Sequence, residues 1–279
     1  MQYPSELETA ERAALRAGAL ILAHYDRGGI VVETKADQSP VTAADREANA
    51  LIIAELRAAF PDDAILSEEL PDDPARLAAQ RVWIVDPLDG TRDFVARTGQ
   101  FSVHIGLAVA GEPVVGVVYQ PVPATLVSAV AGQGATCVQA GVRRSLHVST
   151  IDSRAALRIG VSRLNASSVL GRCLAQAGLA AQSIAMGAST KHVALAAGAL
   201  DAVINLSPNE QEWDTCAPEV VIREAGGRFT DAEGNPFRYN QPDPMHERGS
   251  LATNGACHDA MLALLRPYLP DALAAMSRR

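Results

Sequence analysis

The chain has 279 residues, 48% of them hydrophobic and 20% charged, with a formal net charge of -8. That length fits one large domain or two of ordinary size, and the composition excludes wholesale disorder. The acidic balance, with no basic run longer than Arg143-Arg144, excludes a nucleic-acid polymer as partner but leaves room for an anionic small molecule held through cations.

The N-terminal stretch is too charged for a signal peptide, and Ser5 with Glu8 forms the pattern of a capping box opening a first helix. Leu7, Ala14, Gly18, Ile21, Leu22 and Tyr25 then share one helical face. Thr42 to Asp45 opens a second helix that ends before Pro61. Residues 64–66 read as a short strand leading to Glu68 and Glu69, residues 81–86 as a strand, and 91–97 as a short helix. From Phe101 to about Val148, apolar runs joined by Gly-containing turns predict an antiparallel meander. Beyond Arg154, strands alternate with helices. Strands fall at "LRIGVS", "QSIAM" and "AVINL", and helices near 166–177, 190–199 and 215–225. Gly226-Gly227 reads as a helix C-cap before a strand, and 238–250 as loop. The texture predicts two units, 1–152 and 153–279, arranged as a layered α/β sandwich. A large, mostly antiparallel N-terminal sheet carries two helices, a smaller C-terminal α/β unit follows, and the acidic sites converge at the junction.

Cys137, Cys173, Cys216 and Cys257 are too far apart for a CxxC clip, and no histidine joins them at zinc-finger spacing. They read as reduced, mostly buried thiols of a cytoplasmic protein. No apolar stretch reaches the roughly 20 residues needed to span a bilayer; a peripheral membrane association remains compatible with that.

The chemistry concentrates at "VWIVDPLDGTRDF", Val82 to Phe94. Pro87 cannot donate a ladder hydrogen bond, so the strand is expected to end there. Gly90 permits unusual backbone geometry, and Thr91 opens a helix whose first N–H groups attract phosphate. Two carboxylates, Asp86 and Asp89, thus flank a phosphate cradle. Like charges coexist there only with cations between them, and Mg²⁺ suits a few carboxylates plus substrate phosphate. Singly, each Asp reads as turn chemistry, Glu68-Glu69 as a solvated loop, Asp214 beside Trp213 as a cap, and Asp45 as part of a capping box with Thr42. Four acidic sites, each where an element begins or ends, point together to a metal centre. Pro87 occupies the place where aspartyl-phosphate hydrolases carry their nucleophile. No GxxxxGK[ST] loop or GxSxG elbow is present.

With these residues in place, the chain resembles the inositol-monophosphatase superfamily of lithium-sensitive, Mg²⁺-dependent phosphatases. "WIVDPLDGTRDF" and "WDTCAPEVVIREAGG" match its two signatures, and "SPVTAAD" and "ILSEE" its flanking motifs, over about residues 5 to 265. Leu88, the form of "EWDTCAPEV" and Lys191 in "GASTKHVALAAG" lean toward the 3′(2′),5′-bisphosphate nucleotidases. The resemblance implies hydrolysis of 3′-phosphoadenosine 5′-phosphate to AMP and phosphate, with two or three Mg²⁺ ions. It implies metal ligation by Glu68, Asp86, Asp89 and Asp214 and by the Leu88 carbonyl. It implies water activation by Thr91 with Asp45, assisted by Glu68, and a phosphate held at Gly90 and Thr91. Substrate contacts are implied at Ser162, Asn165, Gly187 and Lys191, with Lys191 on the phosphate that stays and Arg163 able to serve the same end. Glu212 stands where a basic or neutral residue is often found and is read as altering the grip on ribose or base. An inositol-1-phosphate or fructose-1,6-bisphosphate phosphatase shares these first ligands. A non-catalytic nucleotide or metal sensor on the same scaffold would typically lack an Asp or the Thr of the first motif. A homodimer is compatible with the resemblance.

Overall fold

The computed structural model describes residues 2–34, 40–163, 169–187, 190–207 and 209–276. Five layers stack as αβαβα. Helices α1 (Pro4–Arg27) and α2 (Ala43–Ala59) form the first layer, and β1 (Val32–Thr34) pairs antiparallel with β2 (Pro40–Thr42) between them. The second layer is a seven-stranded sheet of β3 (Ala64–Ser67), β4 (Arg81–Asp89), β5 (Ser102–Val109), β6 (Glu112–Gln120), β7 (Thr125–Val130), β8 (Ala135–Gln139) and β9 (Val142–Ser145), in chain order. Only β3 and β4 run parallel; every other neighbouring pair is antiparallel. Both faces of this sheet are covered, so its strands read as near-continuous apolar runs. Trp83 and Val85 face α1 and α2, while Val82 and Ile84 face the opposite way.

That opposite face receives α5 (Thr190–Ala196) and α6 (Glu212–Glu224). Beyond them lies a five-stranded sheet in the order β11 (Ser183–Met186), β10 (Ile159–Ser162), β12 (Ala202–Asn205), β14 (Ser250–Thr253), β13 (Arg228–Asp231). Its outer face is closed by α4 (Val169–Gln176), α7 (His258–Leu265) and α8 (Leu269–Met276). The change of sheet falls between Ser145 and Ile159, the interval that holds residue 152. The cores do not separate there. Val193 of α5, Val221 of α6 and Phe229 of β13 pack in one cluster with Ile84 and Val118 of the large sheet.

Several local expectations change in the folded chain. The Ser5–Glu8 capping box does not form: α1 begins at Pro4, whose fixed φ suits the first helical position, and the Ser5 hydroxyl donates to Glu6 instead. The strand β4 does not stop at Pro87. It runs to Asp89 through an irregularity in which Asp86 pairs with His104 and Asp89 with Ser102, so three β4 steps oppose two on β5. Pro87 is tolerated because a bulge removes the ladder bond it cannot make. Helix α6 starts three residues before the expected 215, and α7 and α8 have no counterpart among the expected elements.

Candidate active site

Asp86, Pro87, Leu88 and Asp89 leave the sheet along that bulge. The Asp86 carboxylate accepts the Leu88 N–H at 2.9 Å, so the turn chemistry expected of a lone Asp is present. Gly90 follows at φ 92°, a left-handed conformation, and a Cβ there would stand 3.0 Å from the Gln100 carbonyl oxygen. The reversal at Gly90 starts the short helix α3 (Thr91–Val95), with Phe94 N–H bonded back to the Gly90 carbonyl. Phe94 packs edge-on against Phe101 and fixes the loop.

From the other side, α6 delivers Asp214. Its carboxylate accepts the Gln211 N–H at 2.8 Å in a capping box, so Gln211 is the N-cap and Asp214, read as the cap in sequence, is the third helical residue. Two glycines govern how close α6 comes. A Cβ on Gly106 would meet Cys216 Sγ at 2.6 Å, and one on Gly116 the Ala217 carbonyl at 2.3 Å. The bare backbone of β5 and β6 is therefore the seat of this helix.

The result is a knot of like charge. Ligand oxygens of Asp86, Asp89 and Asp214 lie within 4.8 Å of one another, alone of the described residues in forming such a group. Burial holds the Asp86 carboxyl well above the usual range, and the neighbouring charges of Glu68, Asp89 and Asp214 push it further. Asp214 is raised by burial and by Asp89. Asp89 is raised by burial to about 7, with Lys191 pulling the other way. Glu68 follows β3, its N–H donating to the Val85 carbonyl, and its charge acts on Asp86. An all-oxygen set of carboxylates, desolvated and mutually repelling, fits a hard divalent cation. Beneath it, His104 Nε2 stands 2.9 Å from Ser102 Oγ and 3.7 Å from Asp89, and burial lowers its pKa to about 4. It is a neutral imidazole behind an acidic site, and no motif announced it.

Asp45 carries two duties at once. Oδ2 accepts the Thr42 N–H at 2.8 Å and the Thr42 hydroxyl at 2.5 Å, completing the capping box of α2. Oδ1 accepts the Thr91 hydroxyl at 3.1 Å, which also lies 3.2 Å from the Leu88 carbonyl. Asp45 is 1% exposed, and that burial raises its pKa against the hydrogen bonds from Thr42 and Thr91.

A cavity of about 280 Å³ opens over these groups. Glu68, Asp89, Gly90, Thr91, Ser162, Lys191 and Asp214 border it, so seven of the residues singled out in the sequence meet in one place. Gly187 does not line it. Its N–H donates to Gln100 Oε1 at 2.5 Å, and a Cβ would stand 2.7 Å from Gln100 Cβ, so it serves a close approach between the two halves. Arg163 bonds the same Gln100 oxygen and lies 3.5 Å from Asp93. Asn165 lies outside the described residues. Glu212 is occupied elsewhere: 1% exposed, its two oxygens accept the Asn240 and Gln241 N–H groups at 2.7 Å each. Arg76 grips the same loop through the Asn240 side chain and the Gln241 carbonyl. Glu212 is thus committed to the 240–241 loop and is not among the residues that border the cavity. The cavity also has Asn205, Ser207, Asn209, Glu210 and His192 on its wall. Asn205 ends β12, Ser207, Asn209 and Glu210 follow it, and His192 sits in α5; their types carry no pattern that would single them out in sequence.

A layered αβαβα fold with clustered carboxylates at the end of one strand and the start of a facing helix defines a class of metal-dependent phosphatase folds. The chain belongs to the inositol monophosphatase family, whose model matches residues 4–269. It is 39% identical over 235 residues to the 3′(2′),5′-bisphosphate nucleotidase CysQ of Escherichia coli K12, covering 84% of this chain and 93% of that one. It is 36% identical over 237 residues to the 3′-phosphoadenosine 5′-phosphate phosphatase of Mycobacterium tuberculosis, covering 78% and 82%. The crystal structure of CysQ from Bacteroides thetaiotaomicron, a bacterial member of the same family, superposes with a TM-score of 0.77 at 32% identity, over 91% of this chain and 98% of that one.

Proposed function

We propose that the protein is a Mg²⁺-dependent phosphomonoesterase that cleaves the 3′-phosphate of 3′-phosphoadenosine 5′-phosphate to give AMP and phosphate. The convergence of Asp86, Asp89 and Asp214 within 4.8 Å, beside the Thr91–Asp45 pair, carries the phosphatase reading. The nucleotide reading rests on the likeness to relatives named for that substrate.

In this reading Glu68, Asp86, Asp89 and Asp214, with the Leu88 carbonyl, hold two or three Mg²⁺ ions. Bound Mg²⁺ supplies the positive charge that draws phosphate oxygens into an acidic pocket and makes water more acidic. Thr91 takes a proton from the attacking water and passes its own to Asp45, since a hydroxyl is no base unaided. The elevated pKa of Asp45 makes it a better acceptor than an exposed carboxylate. Glu68 assists by orienting the water. The Gly90 and Thr91 N–H groups face the scissile phosphate. Water oxygen bonds to phosphorus, the phosphorus–ribose oxygen bond breaks, and the ribose oxygen leaves with a proton from solvent. Ser162 and Lys191 contact the nucleotide, and Asn165 belongs to the same reading. No helix among the described residues is long and apolar enough to cross a membrane. A cytoplasmic setting, suggested by four buried free cysteines, and a homodimer complete the reading; sedimentation of the purified chain checks the latter.

Phosphate release with Mg²⁺ from 3′-phosphoadenosine 5′-phosphate, inositol 1-phosphate and fructose 1,6-bisphosphate, measured side by side, is the test. A kcat/KM at least about tenfold higher for the nucleotide is expected. A preference for either sugar phosphate overturns the substrate and leaves the metal site standing.

A further inference from the structure

Glu210 lies in the turn between β12 and α6 and is 3% exposed. One carboxylate oxygen, Oε1, accepts from Asn205 Nδ2 at 2.8 Å and from Ser250 Oγ at 2.9 Å. The other, Oε2, is buried with no hydrogen-bond partner among the described residues. Such atoms are rare in folded proteins, and each calls for a reason. Here the residue borders the same cavity as Lys191, Asn205 and Asp214.

Lys191 is the natural partner, yet the two do not touch. Lys191 is 4% exposed, and Glu210 is the strongest charge acting to keep it protonated against burial. Glu210 is in turn eased by Lys191, while burial drives it up to about 7. Both residues border the one cavity, so a cation and an unpaired acceptor are offered to the same ligand space.

The chemistry of that space is selective. A phosphate oxygen offers only acceptors and is repelled by the carboxylate. A carboxylate ligand fails for the same reason. An alcohol hydroxyl accepts through its lone pairs and donates through its hydrogen at a single atom, so it satisfies an ammonium and a carboxylate together. We propose that Lys191 and Glu210 form a hydroxyl-binding subsite that recognises the sugar hydroxyl next to the scissile phosphate. Lys191 Nζ donates to the hydroxyl oxygen, and Glu210 Oε2 accepts its hydrogen. This rests on the nucleotide phosphatase reading above, in which that group is the ribose 2′-hydroxyl. It also changes what Lys191 holds: with Glu210 at the same cavity, a hydroxyl and not the phosphate that stays.

A buried acceptor rejects an analogue that leaves it unpaired far more strongly than an apolar wall rejects a missing methylene. The test compares 3′-phosphoadenosine 5′-phosphate with its 2′-deoxy analogue under saturating Mg²⁺. The wild-type protein should favour the ribo compound by about 100-fold or more in kcat/KM. Glu210→Gln keeps the acceptor used by Asn205 and Ser250 and turns the other oxygen into a donor. It should lower the ribo value and bring the ratio between the two substrates to within about tenfold of unity. A purely structural role would lower both substrates together and leave the ratio unchanged, which overturns the proposal. A wild-type ratio near one overturns it without any variant, and Lys191→Met, expected to narrow the ratio likewise, replaces Glu210→Gln should that variant not fold. If neither nucleotide is hydrolysed while inositol 1-phosphate is, the nucleotide reading itself falls and takes this subsite with it. Equal hydrolysis of both nucleotides removes the subsite alone.

Discussion

Asp45 separates two meanings of one carboxylate. Its Oδ2 caps α2, and its Oδ1 meets the Thr91 hydroxyl. Asp45 is the third helical residue, and an asparagine there still offers one oxygen to the Thr42 N–H but cannot take up a proton. Asp45→Asn should therefore leave the unfolding midpoint within a few degrees of wild type while kcat falls about 10²- to 10⁴-fold, the usual contribution of a general base. Thermal unfolding and initial rates of phosphate release on the same preparation check this. A loss of stability matching the loss of rate would return Asp45 to being a cap. The sequence pattern at Thr42–Asp45 announces the cap, because spacing along a helix start is local. The bond to Thr91 spans 46 residues and has no local signature.

At the scale of elements, α6 is what brings Asp214 to Asp86 and Asp89, and its seat is made of absent side chains. Gly116→Ala would place a Cβ 2.3 Å from the Ala217 carbonyl, a backbone atom that cannot rotate away. The helix must move, at a cost of about 1–3 kcal/mol. That corresponds to a fall of about 2–5 °C in Tm for a protein of this size. The shift displaces Asp214, so the Mg²⁺ concentration for half-maximal activity should rise, and calorimetric titration with Mg²⁺ should show weaker binding. Unchanged metal affinity with a lowered Tm would mean that the seat supports the fold and not the site. In the sequence, Gly106 and Gly116 look like ordinary glycines in a meander. Only the packed helix gives them a purpose. The bulge at Pro87 is similar: a proline ends a strand by local rules, but the partner strand β5 accommodates the extra residue and carries the run on to Asp89.

Over the whole molecule, burial sets two opposing pH dependences. Asp86 and Asp214 sit well above the usual carboxylate range, Asp89 at about 7, and Glu212 and Glu219, also buried, at about 7. Unfolded carboxylates ionise near about 4. Between those values the folded chain binds more protons than the unfolded one, so stability falls as pH rises. Buried His104 and His246, both lowered to about 4, act the other way: below the unfolded value near 6.5 the unfolded chain takes the protons, and stability falls as pH drops. The five raised carboxylates outnumber the two lowered histidines, so the metal-free protein should lose stability as pH rises from about 4 to about 7. Mg²⁺ binding requires ionised carboxylates, so the added metal should raise Tm more at pH 8 than at pH 6. Thermal unfolding from pH 4 to 9, with chelator and with Mg²⁺, reads both curves. A metal-free Tm that climbs steadily to pH 8 would show that the acidic cluster costs the fold little.

What the sequence determined by itself is whatever repeats along the chain. Alternation and apolar runs set the meander from Phe101 and the strands of the second half, and the order strand–Asp-Pro-Leu-Asp-Gly-Thr–helix set the phosphate turn. The acidic positions at element ends marked Glu68, Asp86, Asp89 and Asp214 before any of them were near each other, because each sits at a break in pattern. What only the tertiary structure decided is everything that depends on two distant segments sharing a space. It placed α6 between the two sheets, joined the halves into one core, turned Glu212 away toward Asn240 and Gln241, and moved Gly187 off the cavity wall to meet Gln100. It also brought Glu210 and Lys191 to the wall of one cavity, with a Glu210 oxygen unpaired among the described residues. Pattern along a chain records which face of an element is buried; it does not record what the buried polar atom will find opposite it.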